Sequence, residues 1–168
     1  MRRFSLLILF AILFSLDMAS CQSKNYEEKL ESLYNHSVPL ISSDDLAIKI
    51  DTGKALKILD IRSEEEFKVS HIVGALMIDY DNFNKSDVGN LATDSEIIVY
   101  CSVGYRSEKI GEKLMKLGYT NVKNLYGGIF QWKNDGFQVV NQQSVVTDSV
   151  HTYNRNWSQW LLKGVRVY

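Results

Sequence analysis

The chain has 168 residues and nearly balanced charge, 19 basic against 20 acidic side chains, for a formal net charge of −1. That balance, with no basic stripe and no glycine-rich phosphate loop of the nucleotide-binding kind, argues against nucleic acid as a partner. Two cysteines and three histidines, not clustered at ligand spacing, give no structural zinc site, and no metal or cofactor is expected.

Arg2 and Arg3 precede an apolar run from Phe4 to Leu16, shorter than the about 20 residues a bilayer span needs. Residues 1–20 therefore read as a secretion signal. The run ends in Met18-Ala19-Ser20-Cys21, which resembles the bacterial lipobox, so Cys21 is expected to be lipidated and to become the mature N-terminus. A signal-peptidase site that happens to precede a cysteine, or an uncleaved anchor, are the alternatives. Lipidation would hold the protein in the cell envelope, on the periplasmic side or at the outer membrane; Gln22, in place of an aspartate, leans toward the latter. It would also block Cys21 and leave Cys101 as the reactive thiol. Without Arg2, Arg3 and Asp17 the mature charge becomes −2, and the remaining 148 residues suit one domain.

Residues 23–36 place Tyr26, Leu30, Leu33 and Tyr34 on one face and read as an amphipathic helix, part of a tether over residues 21–37. Ser42 or Ser43 caps a helix running to about residue 52, with Asp44 and Asp45 in its first turn and Gly53 at its end. Leu56 to Ile61 is a strand. Ser63 with Glu66 forms a capping-box pattern that opens a short helix over Glu64 to Val69. Ala75 to Ile78 is another strand, Asp79 to Asp94 a mostly polar connection, and Ile97 to Tyr100 a buried strand. From Tyr105 onward, Ile110, Leu114 and Leu117 recur at helical spacing until Gly118. Val122 to Leu125 is a further strand, and Gly127-Gly128 turns the chain into a last short helix around Ile129 to Lys133. Strands alternating with helices predict an α/β fold with a central, mostly parallel sheet and helices on both faces.

Cys101 thus falls at the carboxyl end of a strand, before a helix N-terminus. Ligands bind at that edge of an open α/β sheet, and the free N–H groups and dipole of the helix favour negative charge, a thiolate included. The loop Cys101-Ser102-Val103-Gly104-Tyr105-Arg106-Ser107 reads as an anion pocket beside a thiol.

From about Val38 to Val140 the chain resembles the single-domain rhodanese, or sulfurtransferase, family. The resemblance is carried by Leu59-Asp60-Ile61-Arg62, Glu66-Phe67, His71-Ile72-Val73-Gly74-Ala75, the Cys101 to Ser107 loop, Gly118-Tyr119, and Gly127-Gly128 followed by Trp132, in the family's order and spacing. It departs at Ser70, where the family often has glycine, and in lacking a proline after Ile78. The implied organisation is a domain over residues 38–140 with a C-terminal extension over residues 141–168.

The resemblance implies sulfane-sulfur transfer. Cys101 would attack the outer sulfur of a small anionic donor such as thiosulfate, become a persulfide, and pass the sulfur to cyanide or a thiol, including a protein thiol. Backbone N–H groups of Ser102, Val103, Gly104, Tyr105 and Arg106 would converge on the sulfur, with Gly104 permitting the geometry and Arg106 adding charge. In the family an arginine matching Arg62 can contact the donor; pairing with Asp60 is the competing role. Asp60 and Ser107 read as support for the loop and His71 as a structural hydrogen-bonding residue. Phe130 and Trp132 read as core, and Tyr105 as a lining of the entrance.

Related folds host phosphatases and arsenate reductases, whose loops hold five residues between cysteine and arginine. Here there are four, a shorter ring that suits one sulfur better than a phosphate. A different class of alternative is a non-catalytic binding or sulfur-relay module; retention of the cysteine in a complete loop argues for chemistry. In the extension, Gln142 to Asn156 is polar without a sustained period, and Trp157, Trp160, Leu161 and Leu162 form an apolar helical patch expected to dock on its own domain, with a partner surface as the alternative.

Overall fold

A computed structural model of the full chain describes residues 25–168; the expectations for residues 1–20 and for Cys21 lie outside the described residues. The chain divides into a short N-terminal unit ending at Leu33 and a second unit, Tyr34–Tyr168. In the first, α1 covers residues 25–31. The predicted helix to residue 36 is therefore too long: the Ser32 hydroxyl donates to the Lys29 carbonyl at 2.6 Å, a local side-chain bond that favours helix ends. Tyr34 already belongs to the second unit, where it serves the candidate site.

The second unit is built on a five-stranded sheet of order β1-β5-β4-β2-β3, formed by β1 (Leu40–Ile41), β2 (Leu56–Asp60), β3 (Ala75–Met77), β4 (Glu96–Tyr100) and β5 (Val122–Leu125). Every neighbouring pair is parallel. The α/β sheet expected from the sequence is present, and it is wholly rather than mostly parallel. Strand β1 was not anticipated, because two residues are too few to show a period. The main chain holds it on β5, with Asn124 N–H donating to the Pro39 carbonyl at 2.8 Å and Tyr126 N–H to the Ile41 carbonyl at 3.0 Å.

Four helices lie between and after these strands: α2 (Ser43–Asp51), α3 (Glu64–Val69), α4 (Tyr105–Lys116) and α5 (Gly128–Asn134). Ser42 caps α2 by accepting from Asp45 N–H, and the Ser63/Glu66 capping box of α3 is complete in both directions. The polar connection after β3 contains one 3-10 turn, Lys85–Asp87. It also sends Val88 into the interior, where its carbonyl accepts from the Tyr119 hydroxyl at 2.5 Å.

The core explains the direction of the sheet. Leu59 and Ile61 of the β2 segment, Ile97 and Val99 of β4, Ile110 and Leu114 of α4, and Val38, Tyr119 and Val122 form one apolar cluster. Side chains alternate along a strand, so Ile98 and Tyr100 point to the other face, and they are equally buried. A strand apolar on both faces is what a parallel sheet requires. Burying a large aliphatic side chain contributes roughly 1.5–3 kcal/mol, so these residues set the fold before any polar contact is counted.

The segment after α5 is more structured than its polarity suggested. Strand β6 (Val139–Val140) pairs antiparallel with β7 (Val146–Thr147), and β8 (Ser149–His151) pairs parallel with β9 (Val165–Val167). The helix expected around the tryptophans is a single turn, α6 (Arg155–Ser158), capped by Asn154. Leu161 is buried, while Trp157 and Trp160 are half-buried and Leu162 is exposed. The segment is tied to its own unit at several points: Asn134 Nδ2 donates to the Trp160 carbonyl at 2.9 Å, Leu162 N–H donates to Asn134 Oδ1 at 2.7 Å, and Lys133 pairs with Asp148 at 2.6 Å. Among the described residues, no helix is long and apolar enough to cross a membrane.

Candidate functional site

The connection from β2 runs outward to β3 and that from β4 runs outward to β5, in opposite directions across the sheet. The carboxyl ends of β2 and β4 therefore meet at the point where strand order reverses, the usual ligand crevice of open parallel sheets. Asp60 ends β2, and Cys101 follows Tyr100 at the end of β4.

The loop after Cys101 is held by its carbonyls. The Cys101 carbonyl accepts from Ile129 N–H at 2.9 Å and the Ser102 carbonyl from Phe130 N–H at 3.1 Å, both donors lying in the first turn of α5. The Val103 carbonyl accepts from the Tyr34 hydroxyl at 2.7 Å. The Gly104 carbonyl accepts from Asn124 Nδ2 at 2.9 Å and from Glu108 N–H at 3.1 Å. Four successive carbonyls are thus taken up by the surrounding scaffold, and within the loop Gly104 N–H donates to Cys101 Sγ at 3.2 Å. The N–H groups of Tyr105, Arg106 and Ser107 lie in the first turn of α4, where no intrahelical acceptor exists. Such free donors at a helix N-terminus favour negative charge.

Two glycines make the closure sterically possible. Gly104 has φ +96°, and a Cβ there would collide with the Tyr34 hydroxyl; a Cβ on Gly128, at φ +56°, would collide with the Cys101 carbonyl. Both positions need the left-handed backbone and the missing side chain together.

Arg106 is differently placed from the expectation of a free charge at the sulfur. Its Nη1 and Nη2 each donate to a Glu66 oxygen at 2.9 Å, and Nη2 also donates to the Ser102 hydroxyl at 3.1 Å. The Ser102 hydroxyl in turn donates to Glu66 Oε1 at 2.9 Å. Burial alone would push the Glu66 carboxyl up, but its hydrogen bonds with Arg106 and the charges of Arg106 and Arg62 outweigh that and hold it below its ordinary value. Burial likewise pulls the Arg106 guanidinium down and Glu66 raises it further than that. Cys101 raises it as well, so the Arg106 charge still acts on the sulfur beside the backbone N–H groups.

Arg62 requires a correction. Its side chain is 0% exposed and paired with Asp60, which is also 0% exposed, so it presents no atom to a solute. Its Nε donates to Asp60 Oδ1 at 2.9 Å, and its Nη2 donates to Asp60 Oδ2 and to the Ser70 carbonyl, both at 2.6 Å. The Tyr100 hydroxyl donates to the same carboxylate at 2.7 Å and accepts from Ile72 N–H at 3.1 Å. Burial, then Asp60, pushes Tyr100 well above its ordinary value, so it stays a donor. Asp60 and Tyr100 are register partners on adjacent strands, which is why the pair and the tyrosine share one face. Arg62 belongs to this buried lock between β2, β4 and the start of β3, and the competing role weighed in the sequence is the one the fold uses.

The remaining expected residues are scaffold. The Ser107 hydroxyl donates to Asn124 Oδ1 at 2.7 Å. His71 stacks on Phe67 at 3.8 Å between ring centroids, places Nδ1 3.0 Å from the Phe67 carbonyl, and pairs its backbone with Val140. Phe130 and Trp132 are buried, and Tyr105 is exposed. Three contributors were not read from the sequence. Glu66 was read as a helix cap and within the Glu66-Phe67 element of the resemblance, Asn124 as an interior strand residue, and Tyr34 as part of a helix face. The Tyr34 hydroxyl, besides serving Val103, accepts from Gly127 N–H at 2.8 Å, so one side chain joins the Cys101 loop to the turn before α5. Among the described residues, no group of three His, Cys, Asp or Glu could hold a metal ion.

Comparison with known proteins gives the same outline. The chain is 33% identical over 96 residues to "Putative sulfur carrier protein YrkF" of Bacillus subtilis, covering 57% of this chain and 51% of that protein. It is 29% identical over 102 residues to "Adenylyltransferase and sulfurtransferase UBA4" of Candida albicans, covering 56% and 23%. The chain thus spans from about a quarter to a half of the length of these relatives. Among solved structures, the BH2092 protein of Bacillus halodurans superposes with a TM-score of 0.58 at 27% identity, over 71% of this chain and 85% of that one. Residues 42–135 match the model of the rhodanese-like domain. That span holds the switch-point crevice, the Cys101 loop and both glycines that close it, and the chain belongs to the rhodanese-like domain family.

Proposed function

We propose that the protein is a sulfurtransferase that carries sulfane sulfur on Cys101. The observation that carries this reading is the bond from Gly104 N–H to Cys101 Sγ, made inside a loop whose carbonyls are all turned to other partners. Such a loop stabilises negative charge on one sulfur atom or on the sulfur attached to it. Four residues separate Cys101 from Arg106, and Arg106 is held by Glu66, so the geometry favours a persulfide over a bound phosphate group.

In the first half-reaction the Cys101 thiolate attacks the outer sulfur of a donor such as thiosulfate. The donor's S–S bond breaks, sulfite leaves with the bonding electrons, and Cys101 becomes a persulfide. In the second, cyanide or a thiol takes the outer sulfur and the Cys101 thiolate is restored. Cys101 is 1% exposed, which restricts donors to those that present a single projecting sulfur. Membrane tethering through a lipidated Cys21 belongs to this proposal on the basis of residues 1–21 alone, and it places the reaction in the cell envelope.

Intact-protein mass spectrometry after incubation with thiosulfate tests the reading. The expected result is one adduct of about 32 Da, absent in Cys101→Ser and removed by cyanide. An unmodified wild-type protein would favour a binding module instead, and phosphatase turnover without an adduct would favour the related phosphoryl chemistry.

A further inference from the structure

We infer that Glu108, a buried carboxylate in the first turn of α4, is a positioning residue for the Cys101 sulfur: it holds residues 35–37 so that the Tyr34 hydroxyl, just ahead of them, fixes the Val103–Gly104 peptide. The inference rests on the sulfur-transfer reading above.

Glu108 is 1% exposed, and its charge takes no part in the two half-reactions. Its Oε2 accepts from Asn35 N–H at 2.9 Å and its Oε1 from Ser37 N–H at 2.9 Å. The Ser37 hydroxyl is shared between Glu108 Oε1 at 3.1 Å and Glu112 Oε1, one helical turn further on, at 2.6 Å. A buried carboxylate is costly unless donors of this kind meet it, so the segment ahead of β1 is strapped to α4. Residues 34–37 precede the span, residues 42–135, that matches the rhodanese-like domain.

The backbone of the strap is shaped to the carboxylate. His36 has φ +52°, in the left-handed region that non-glycine residues rarely occupy. It lies between the two residues whose N–H groups converge on Glu108. A turn that aims its main-chain N–H groups at one anion is a concavity suited to negative charge, and the surrounding bonds hold the strained residue in place.

Tyr34 leads from this turn to the sulfur. Its ring stands edge-on to those of His36 and Tyr126, with centroids 6.0 and 5.9 Å away. Its hydroxyl donates to the Val103 carbonyl at 2.7 Å. The N–H of that same peptide is Gly104 N–H, which donates to Cys101 Sγ at 3.2 Å. The peptide is trans and planar, so its C=O and N–H point in opposite directions and can only turn together. A bond accepted by the carbonyl also polarises the amide and strengthens its N–H as a donor. From Glu108 to Sγ the path is continuous in hydrogen bonds and backbone, and each link is short.

The test uses the full chain as wild type, Glu108→Gln, Glu108→Ala, Tyr34→Phe and the double variant Glu108→Ala with Tyr34→Phe. Two quantities are measured: the single-turnover rate constant of Cys101 persulfide formation with thiosulfate in excess, and the backbone amide proton resonance of Gly104. Glu108→Ala is expected to slow persulfide formation about two- to tenfold, the range that one weakened hydrogen bond supports, and to move the Gly104 proton upfield. Glu108→Gln keeps one accepting oxygen and is expected to do the same to a smaller extent. In the Tyr34→Phe background, Glu108→Ala is expected to add no further slowing, because the link it acts through is gone. The rate constant, unlike its amplitude, does not depend on the folded fraction, so partial unfolding does not imitate the effect. An unchanged rate constant or an unmoved Gly104 resonance in Glu108→Ala overturns the inference, and so does an equal slowing in the Tyr34→Phe background. A wild-type protein that forms no Cys101 persulfide removes the sulfur-transfer reading and this one with it, whereas an active wild type with an unmoved rate in Glu108→Ala removes the role of Glu108 alone.

Discussion

Glu66 and Arg106 face each other fork to fork, two N–H to oxygen bonds of 2.9 Å each, across the gap between α3 and the Cys101 loop. The same carboxylate closes the capping box of α3 through Ser63 N–H at 3.2 Å. One side chain therefore fixes a helix start and the far end of the Cys101 loop. Glu66 is almost fully buried, so both contacts are shielded from water.

Glu66→Gln is expected to lower stability by about 2–4 kcal/mol, because it leaves a mostly buried guanidinium without its counter-charge. The pH dependence should change with it. The folded protein holds Glu66 below its ordinary value of 4.5, so the carboxylate's stabilising contribution is complete above that value and is lost as pH falls through the lowered folded value. Thermal melts from pH 7 down to pH 3 should show a shallower acid-side decline of Tm in Glu66→Gln than in the wild type. Parallel declines would mean that other carboxylates carry the acid limb.

Tyr34→Phe removes one oxygen that both donates to the Val103 carbonyl and accepts from Gly127 N–H. Burial holds the Tyr34 hydroxyl well above its ordinary titration range, so it remains a donor at every pH at which the protein is folded. Leaving two buried main-chain groups unpaired should cost about 1–3 kcal/mol. It should also slow persulfide formation on Cys101, because the Val103 carbonyl is then free to turn and take the adjacent N–H out of the loop. Stopped-flow mixing with the donor, beside a urea titration, separates the two effects; an unchanged rate would show that the other three carbonyl anchors suffice.

Arg62→Lys keeps the charge but loses the fork that binds both Asp60 oxygens and the Ser70 carbonyl. A stability loss of about 3–5 kcal/mol is expected, the range for breaking a buried pair. The fraction that remains folded should keep the wild-type donor KM, since Arg62 offers no atom to a solute. A raised KM with stability intact would instead restore Arg62 as a donor contact.

Much of the site was legible because its parts are contiguous. Cys101 to Ser107 lies within seven consecutive positions, and strand period, Gly104 and the following helical spacing together place the thiol at a helix N-terminus. The capping serine and glutamate of α3 were likewise readable from a spacing of three. What could not be read were contacts that depend on long loops. Tyr34 meets Val103 across 69 residues, and Arg106 meets Glu66 across 40. Tyr34 resembled a helix-face residue in sequence because its period matched its neighbours, while its hydroxyl is used by a turn 93 positions away.

The sequence by itself determined the parallel α/β sheet, since apolar runs such as Ile97 to Tyr100 are stable only when covered on both faces, and it determined that Cys101 sits at the carboxyl end of a strand, before a helix N-terminus. Only the tertiary structure decided how the charges are spent. Both arginines looked available in one dimension, yet each is bound to a carboxylate of its own fold, Arg62 to Asp60 and Arg106 to Glu66. The reason is physical: a guanidinium taken out of water costs several kcal/mol unless it is paired, and which carboxylate pairs it is fixed by the packing of strands and helices, not by distance along the chain.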